Sequence, residues 1–294
     1  MSVAVEEPST TPPRMVPSWF SMVRRRRAGK PKVLVGGGIV GLVVVMALLA
    51  PVIAPYNPIA QYLGATLQGP SLAHLMGTDE FGRDVLSRVL YGARLDLQIA
   101  FLGTMFCFIL GTLLGLVGGF FGGIVDLVVG RLVDLVIAFP AIVVIIALIA
   151  VLGLNLINLY IGITVTGWTA YTRLVRGEVL VAARLPYVQA ARCLGYSDSR
   201  IVFRHILPNV ITRSFIFLVT DMVGTILLVT ALSYLGLGPQ PPTAEWGAMI
   251  SEAQPFMLQA WWIALFPGLA IVLTGVGLAV LGDGLADLLR PQAE

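Results

Sequence analysis

Charge is what this chain has least of: Asp, Glu, Lys and Arg together make up 12% of 294 residues, against 57% hydrophobic ones. With a mean hydropathy of +0.89, so little charge does not suit a water-soluble domain, in which about a quarter of the residues are charged. Histidine and cysteine are scarce as well, two of each. His74 and His205 fall on opposite sides of the membrane in the topology derived below, which excludes a two-histidine metal site. Cys107 lies in an apolar run and Cys193 in a basic loop. A polar boundary between them argues against a disulfide, and neither has metal-ligand spacing. No Gly-x-x-x-x-Gly-Lys-Ser/Thr occurs, so the chain has no loop in which to cradle ATP phosphates. Gly-x-Ser-x-Gly and His-Glu-x-x-His are also missing. Gly36-Gly37-Gly38-Ile39-Val40-Gly41 matches a dinucleotide fingerprint literally, but it opens an apolar run with no strand before it. No cofactor is therefore expected in this chain, and no enzymatic activity. Base-stacking aromatic patterns and nucleic-acid motifs are lacking, so the pI near 9 reflects topology and anionic lipid, with no nucleic-acid partner.

What the chain has in abundance is long apolar runs. Residues 33–54, 97–118, 132–152, 156–171, 211–235 and 261–281 read as six spans, each measured against a hydrocarbon core of ~30 Å at 1.5 Å per residue. The fourth run is short and is expected to tilt or to be capped by other helices. The first carries no charge. It is too long for the h-region of a signal peptide, and Pro55 follows Val52-Ile53-Ala54 where cleavage would have to occur, so it reads as a retained anchor. Before it, residues 1–32 form a basic tail. Residues 1–21, with Glu6, Glu7 and several prolines and hydroxyl residues, are expected to be disordered.

The distribution of the positive charge sets the orientation. Seven of the 19 basic residues precede position 33, among them Arg24 to Arg27. Seven arginines (Arg173, Arg176, Arg184, Arg192, Arg200, Arg204, Arg213) stand in residues 173–210 and just beyond, against Glu178 and Asp198 alone. Basic loops stay in the cytoplasm. Both termini and the 173–210 loop are thus cytoplasmic, while residues 55–95 and residues 236–259, the latter with Glu245 and Glu252 and no Lys or Arg, lie outside. The expected organisation is a tail (1–32), a first transmembrane helix (33–54), an external loop (55–95) and a core membrane domain (96–290).

Small residues and stray charges refine this picture. Gly111, Gly115 and Gly119 share one face of the second span, and Gly37 and Gly41 one face of the first, marking helix contacts in a solvent that gives no hydrophobic drive between helices. Asp126, Arg131 and Asp134 stand at the cytoplasmic start of the third span. Arg131 and Asp134, three apart, are placed to pair, because an unpaired intramembrane charge costs at least ~2.5–3.5 kcal/mol. Asp221, early in the fifth span, has no local partner and faces either a neighbouring helix or a cavity.

The basic loop carries the most specific pattern. Tyr187-Val188-Gln189-Ala190-Ala191-Arg192-Cys193-Leu194-Gly195, followed by His205-Ile206-Leu207-Pro208, resembles the EAA loop of permease subunits of bacterial ABC importers. That pattern is Glu-Ala-Ala, three residues, Gly, nine residues, Ile, any residue, Leu-Pro. Gln189 here replaces the glutamate and His205 the isoleucine, so those two side-chain roles do not carry over. Further motifs agree in order: Gly77-Thr78-Asp79-Glu80-Phe81-Gly82-Arg83-Asp84 through Arg88, Tyr91 to Arg94, Ser233-Tyr234-Leu235-Gly236, Pro241-Pro242, Trp246-Gly247, Phe266-Pro267-Gly268 and Gly282-Asp283-Gly284-Leu285. They resemble the C-type permeases of dipeptide, oligopeptide and nickel importers over roughly residues 33–290. The resemblance implies an all-α, polytopic, type I ABC importer permease of about six transmembrane helices in a bacterial inner membrane. It also implies a homologous B-type permease, two ATP-binding subunits holding ATP and Mg, and an extracytoplasmic solute-binding protein as partners. Tyr187, Gln189, Ala190, Ala191, Gly195, Leu207 and Pro208 would dock on the ATPase. Peptides are the expected cargo, with nickel chelates, glutathione or oligosaccharides as alternatives. An ion-gradient-driven transporter is the rival of another class; it would show an internal inverted repeat and a buried carboxylate at its site.

Overall fold

The computed structural model describes residues 19–289, with side chains from residue 29 onward. The stretch expected to be disordered (1–21) lies almost wholly outside the described residues, as do the side chains of Arg24 to Arg27. Ten helices follow in order: α1 (Trp19–Ile53), α2 (Val85–Phe121), α3 (Gly123–Ile137), α4 (Ala141–Leu152), α5 (Leu156–Ala182), α6 (Pro186–Cys193), α7 (Asp198–Ile201), α8 (Leu207–Tyr234), α9 (Trp246–Ala253) and α10 (Trp262–Leu289). Among the described residues the only strand-like pairing is one bridge between Thr78 and Asp84.

Among the described residues four helices are long and apolar enough to cross a membrane, α1 from Gly29, α2, the α7–α8 segment and α10; the α3–α4 pair makes a fifth if counted as one bent span. α5 has the length at 27 residues but is not apolar enough to count by the same measure; taken with the others it brings the number of long helical segments to about six. Two boundaries differ from the apolar runs. The run 132–152 is no single helix: α3 and α4 meet at an angle of 82°. Pro140 is the N-cap of α4. Its ring removes an N–H and drives the residue before it out of helical geometry, so the helix stops and restarts. The fourth run, short by hydropathy, continues through its polar end to Ala182, because amphipathic sequence packed on a neighbour stays helical after the apolar run has ended.

Glycine contacts hold the two principal seams. On α2, Gly111 faces the Trp168 carbonyl and Tyr171, Gly115 faces Val175, and Gly119 faces Val179, each so close that an added Cβ would lie within 2.4–2.9 Å of α5. The α1–α10 seam uses Gly36, Gly277 and Gly284 in the same way. Here the expectation is corrected. A Cβ on Gly37 would only graze Leu281 at 3.9 Å, and one on Gly41 would meet nothing within 4 Å. A packed stripe at 3.6 residues per turn is narrow, and the face that meets α10 is set one residue away from the one the spacing suggested.

At the end opposite the basic loop, the 55–84 segment and α9 cover the bundle. The Trp246 indole donates to the Val89 carbonyl (3.0 Å) and that of Trp262 to Thr78 (3.1 Å). Arg83 and Arg88, 2% and 1% exposed, both donate to Glu252 (2.9 and 2.8 Å), and Arg83 also reaches Asp79 (2.5 Å). This ion cluster fastens residues 79–88 to α9. Burial pushes the Glu80 carboxyl above its usual range.

Candidate coupling surface

The basic loop folds into a small unit with a core of its own. Val175 and Val179 of α5, Val188 and Ala191 of α6, Ile201 at the end of α7, Ile206 and Val210 pack together with Leu116 of α2. Val188, Ile201 and Ile206 are fully buried, each contributing about 1.5–3 kcal/mol of hydrophobic stabilisation. A two-turn helix is too short to be stable alone; this underside holds α6 in place. Pro186 starts it at the first helical position, where the missing N–H is no loss.

Its other end is closed by a glycine. Gly195 adopts φ +75°, its N–H donates to the Arg192 carbonyl (2.9 Å), and the Tyr196 N–H reaches back to Ala191 (3.1 Å). These are the two bonds of a Schellman cap, whose left-handed residue is usually glycine. Beyond it α7 and one π-helical turn, Val202–Ile206, lead into α8, which opens with Leu207 and Pro208. The Asn209 amide donates to the Tyr187 hydroxyl (3.3 Å), tying the two ends of the pattern together.

The residues singled out from the sequence thus divide. Tyr187, Gln189, Ala190 and Pro208 are exposed, Leu207 is half-buried, and Ala191 points into the unit's own core at 4% exposure. Ala191 is small because α6 must sit close on its supports, and it offers nothing to a partner. A Cβ on Gly195 would meet nothing within 4 Å, so within this chain the glycine serves the backbone and leaves open space above it. The Gln189 amide donates to the Ala183 carbonyl at the end of α5 (3.1 Å); a carboxylate at this position has no proton to give that carbonyl. Leu194, 71% exposed, extends the outward face. It was missed because an exposed leucine beside a cap has no signature in a pattern of small residues.

The arginines of the loop and its flanking helices have different partners. Arg192 lies over the Phe120 ring and Arg200 over Tyr196. Arg213 pairs with Glu178. Arg173, Arg184 and Arg204 are exposed and, among the described residues, make no ion pair.

The membrane-proximal charges rearrange the expected pairing. Asp126 takes both guanidinium arms of Arg176 on α5, through Nε and through Nη2 at 2.7 Å. Arg131 and Asp134 are exposed and do not pair with each other. Asp126 shares the face of α3 that Val129 and Val133 bury, while positions 131 and 134 project away from it. The helix face that packs decides which acid meets the arginine, and spacing along one helix does not. Asp221 resolves in favour of the neighbouring helix: the Tyr171 hydroxyl donates to it at 2.9 Å across the α5–α8 contact.

Two families match this chain. The pattern described as binding-protein-dependent transport system inner membrane component covers residues 111–294, and the N-terminal TM domain of oligopeptide transport permease C covers residues 18–70. The glutathione transport system permease protein GsiD of Salmonella typhimurium is 40% identical over 286 residues, 97% of this chain and 94% of that protein. The dipeptide transport system permease protein DppC of Escherichia coli K12 is 43% identical over 267 residues, 87% of this chain and 89% of that protein. Its namesake from Alkalihalophilus pseudofirmus is 37% identical over 290 residues, 97% and 95% of the two chains.

Proposed function

This chain belongs to the family of binding-protein-dependent transport system inner membrane components, the permease subunits of ABC importers, and we propose that it forms one half of an inward pathway for small peptides. It is a multi-pass membrane protein, and its energy enters from outside the chain. A homologous permease, two ATP-binding subunits and an extracytoplasmic binding protein complete the assembly, with both termini in the cytoplasm. Relatives named for dipeptide and for glutathione transport agree on cargo chemistry, a short peptide with free carboxylates.

The observation that carries the reading is the two-sided build of α6. Its inner face, Val188 and Ala191, is locked to the ends of α5 and α8. Its outer face, Tyr187, Ala190 and Leu194, is exposed, and among the described residues only the Asn209 amide, on the Tyr187 hydroxyl, meets it through a hydrogen bond. A short rigid helix fixed at the feet of two spans transmits a push instead of absorbing it. When ATP draws the ATPase subunits together, α6 moves with them, and the spans that it holds tilt between two packings. The glycine seams of α1–α10 and α2–α5 allow helices to slide at close range without unpacking large side chains.

Reconstitution tests this. Alone in proteoliposomes, the chain is expected to move nothing. With its partners and binding protein it is expected to import dipeptide when ATP is on the cytoplasmic side, and to continue when proton and sodium gradients are collapsed. Uptake that follows an imposed ion gradient and ignores ATP would overturn the reading.

A further inference from the structure

Arg94 closes the Tyr91 to Arg94 motif, and no step of the coupling account uses it. It stands on α2 with Tyr91 and Gln98 at positions i−3 and i+4, one face of the helix, at the end opposite the basic loop. This face forms one wall of a cleft of about 420 Å³, whose other wall is the Pro242-Thr243-Ala244 turn before α9. The cleft continues on both sides. A second hollow of about 460 Å³ shares Pro58, Ile59 and Tyr91 with it, and a third of about 280 Å³ shares Leu95 and Thr243.

The charges around it are already committed. Asp79 and Glu252 hold Arg83 and Arg88, Asp84 holds His74 and the Ser87 hydroxyl, Glu245 caps the first N–H groups of α9, and Asp96, buried two residues from Arg94, accepts the Trp246 backbone N–H (3.0 Å). Arg94 is exposed in the cleft and, among the described residues, makes neither an ion pair nor a hydrogen bond. Gln98 beside it is also exposed. The cleft therefore lines up one planar cation and a carboxamide that can donate through its NH2 group, and no acid is among its lining residues. A guanidinium presents parallel N–H groups that match the two oxygens of a carboxylate, and the volume lies in the range of small-molecule sites.

We propose that this cleft is a carboxylate-binding station, at which Arg94, with Gln98 beside it, receives the free carboxylate of the peptide as it leaves the binding protein. This rests on the importer reading for the identity of the cargo. The arginine would give the released peptide a first fixed orientation and disfavour amidated or cationic ends.

The test is site protection in the complete complex, without ATP, in nanodiscs of phosphatidylcholine so that no anionic lipid headgroup competes. In a Cys193→Ser background, Thr243→Cys places a thiol on the cleft wall. Its rate of alkylation is followed by mass spectrometry of this chain, with dialanine or dialanine amide present at millimolar concentration. Dialanine is expected to slow the labelling and its amide is not. Arg94→Gln is expected to raise the half-protecting concentration of dialanine about tenfold or more, the scale of a lost charge-assisted hydrogen bond. Equal protection by the amide, protection that survives in Arg94→Gln, or no protection by dialanine would each overturn the proposal. So would weakened docking of the binding protein in Arg94→Gln that is the same with and without dialanine, which would assign the arginine to an acidic residue of that protein. ATP-driven uptake, measured separately, tests the importer reading, and labelling without ATP does not depend on its outcome.

Discussion

Substituting Gly195 separates two roles that the sequence alone merges, a backbone role and a docking role. The residue has φ +75°, and a Cβ placed there would touch nothing within 4 Å. Alanine therefore meets no clash inside the chain and is charged only for left-handed geometry, roughly 1–2 kcal/mol. That corresponds to a factor of about 5–30 in the population of the capped helix. Glutamate carries the same backbone cost and adds a charged side chain to the open space. If a partner covers that space, the carboxylate is desolvated against it and the loss exceeds that of alanine by about another tenfold. Gly195→Asn is expected to be milder than either, since asparagine tolerates this region. The assay is ATP hydrolysis stimulated by loaded binding protein, compared at equal assembly judged by co-purification of the subunits. The expected order is wild type, Asn, Ala, Glu. If Gly195→Glu and Gly195→Ala fall equally, the glycine is a cap and nothing covers it. Wild-type stimulation in an assembled Gly195→Glu complex would refute the docking site itself.

Three further outcomes are expected. Gly111→Leu drives a side chain into the Trp168 carbonyl, 2.4 Å from an added Cβ, so the assembled complex should melt well below wild type by fluorescence-detected thermal unfolding; Gly41→Leu, in open space, should not, and equal effects would count against the seam. Glu252→Ala strips the common acceptor from the buried Arg83 and Arg88, which should cost about 3 kcal/mol or more; a change below about 1 kcal/mol in the same assay would mean that the cluster contributes little. An impermeant thiol reagent should label Thr243→Cys from outside sealed right-side-out vesicles and leave Cys193 untouched until the membrane is opened; labelling of Cys193 in sealed vesicles would reverse the topology.

The sequence by itself determined the class and the spacing. Scarce charge and long apolar runs leave a polytopic helical membrane protein as the reading, because backbone groups in hydrocarbon must pair within their own segment. The loop from Tyr187 to Pro208 was legible because its residues are local: a proline to start a helix, small residues within it, a glycine to cap it. Gly111, Gly115 and Gly119 were legible for the same reason, since a four-residue repeat on one helix needs no knowledge of its neighbour.

What only the tertiary structure decided are the contacts between residues far apart in the chain. Asp126 meets Arg176, 50 positions away, where a local reading paired Arg131 with Asp134. Gly36 and not Gly41 touches α10, because the rotation of a helix about its axis is set by what packs against it. Ala191 turned inward once α6 had a core beneath it. The Gly77 to Arg88 motif was visible in the sequence without a purpose, because Glu252, which both arginines hold, lies 164 residues from Arg88 and 169 from Arg83. The break at Pro140 could have been read from its ring, and was hidden by the hydropathy on either side. Periodicity fixes which residues share a face; only packing says what that face meets, and Arg94 stands out only because the structure places it in a cleft with no ion pair among the described residues.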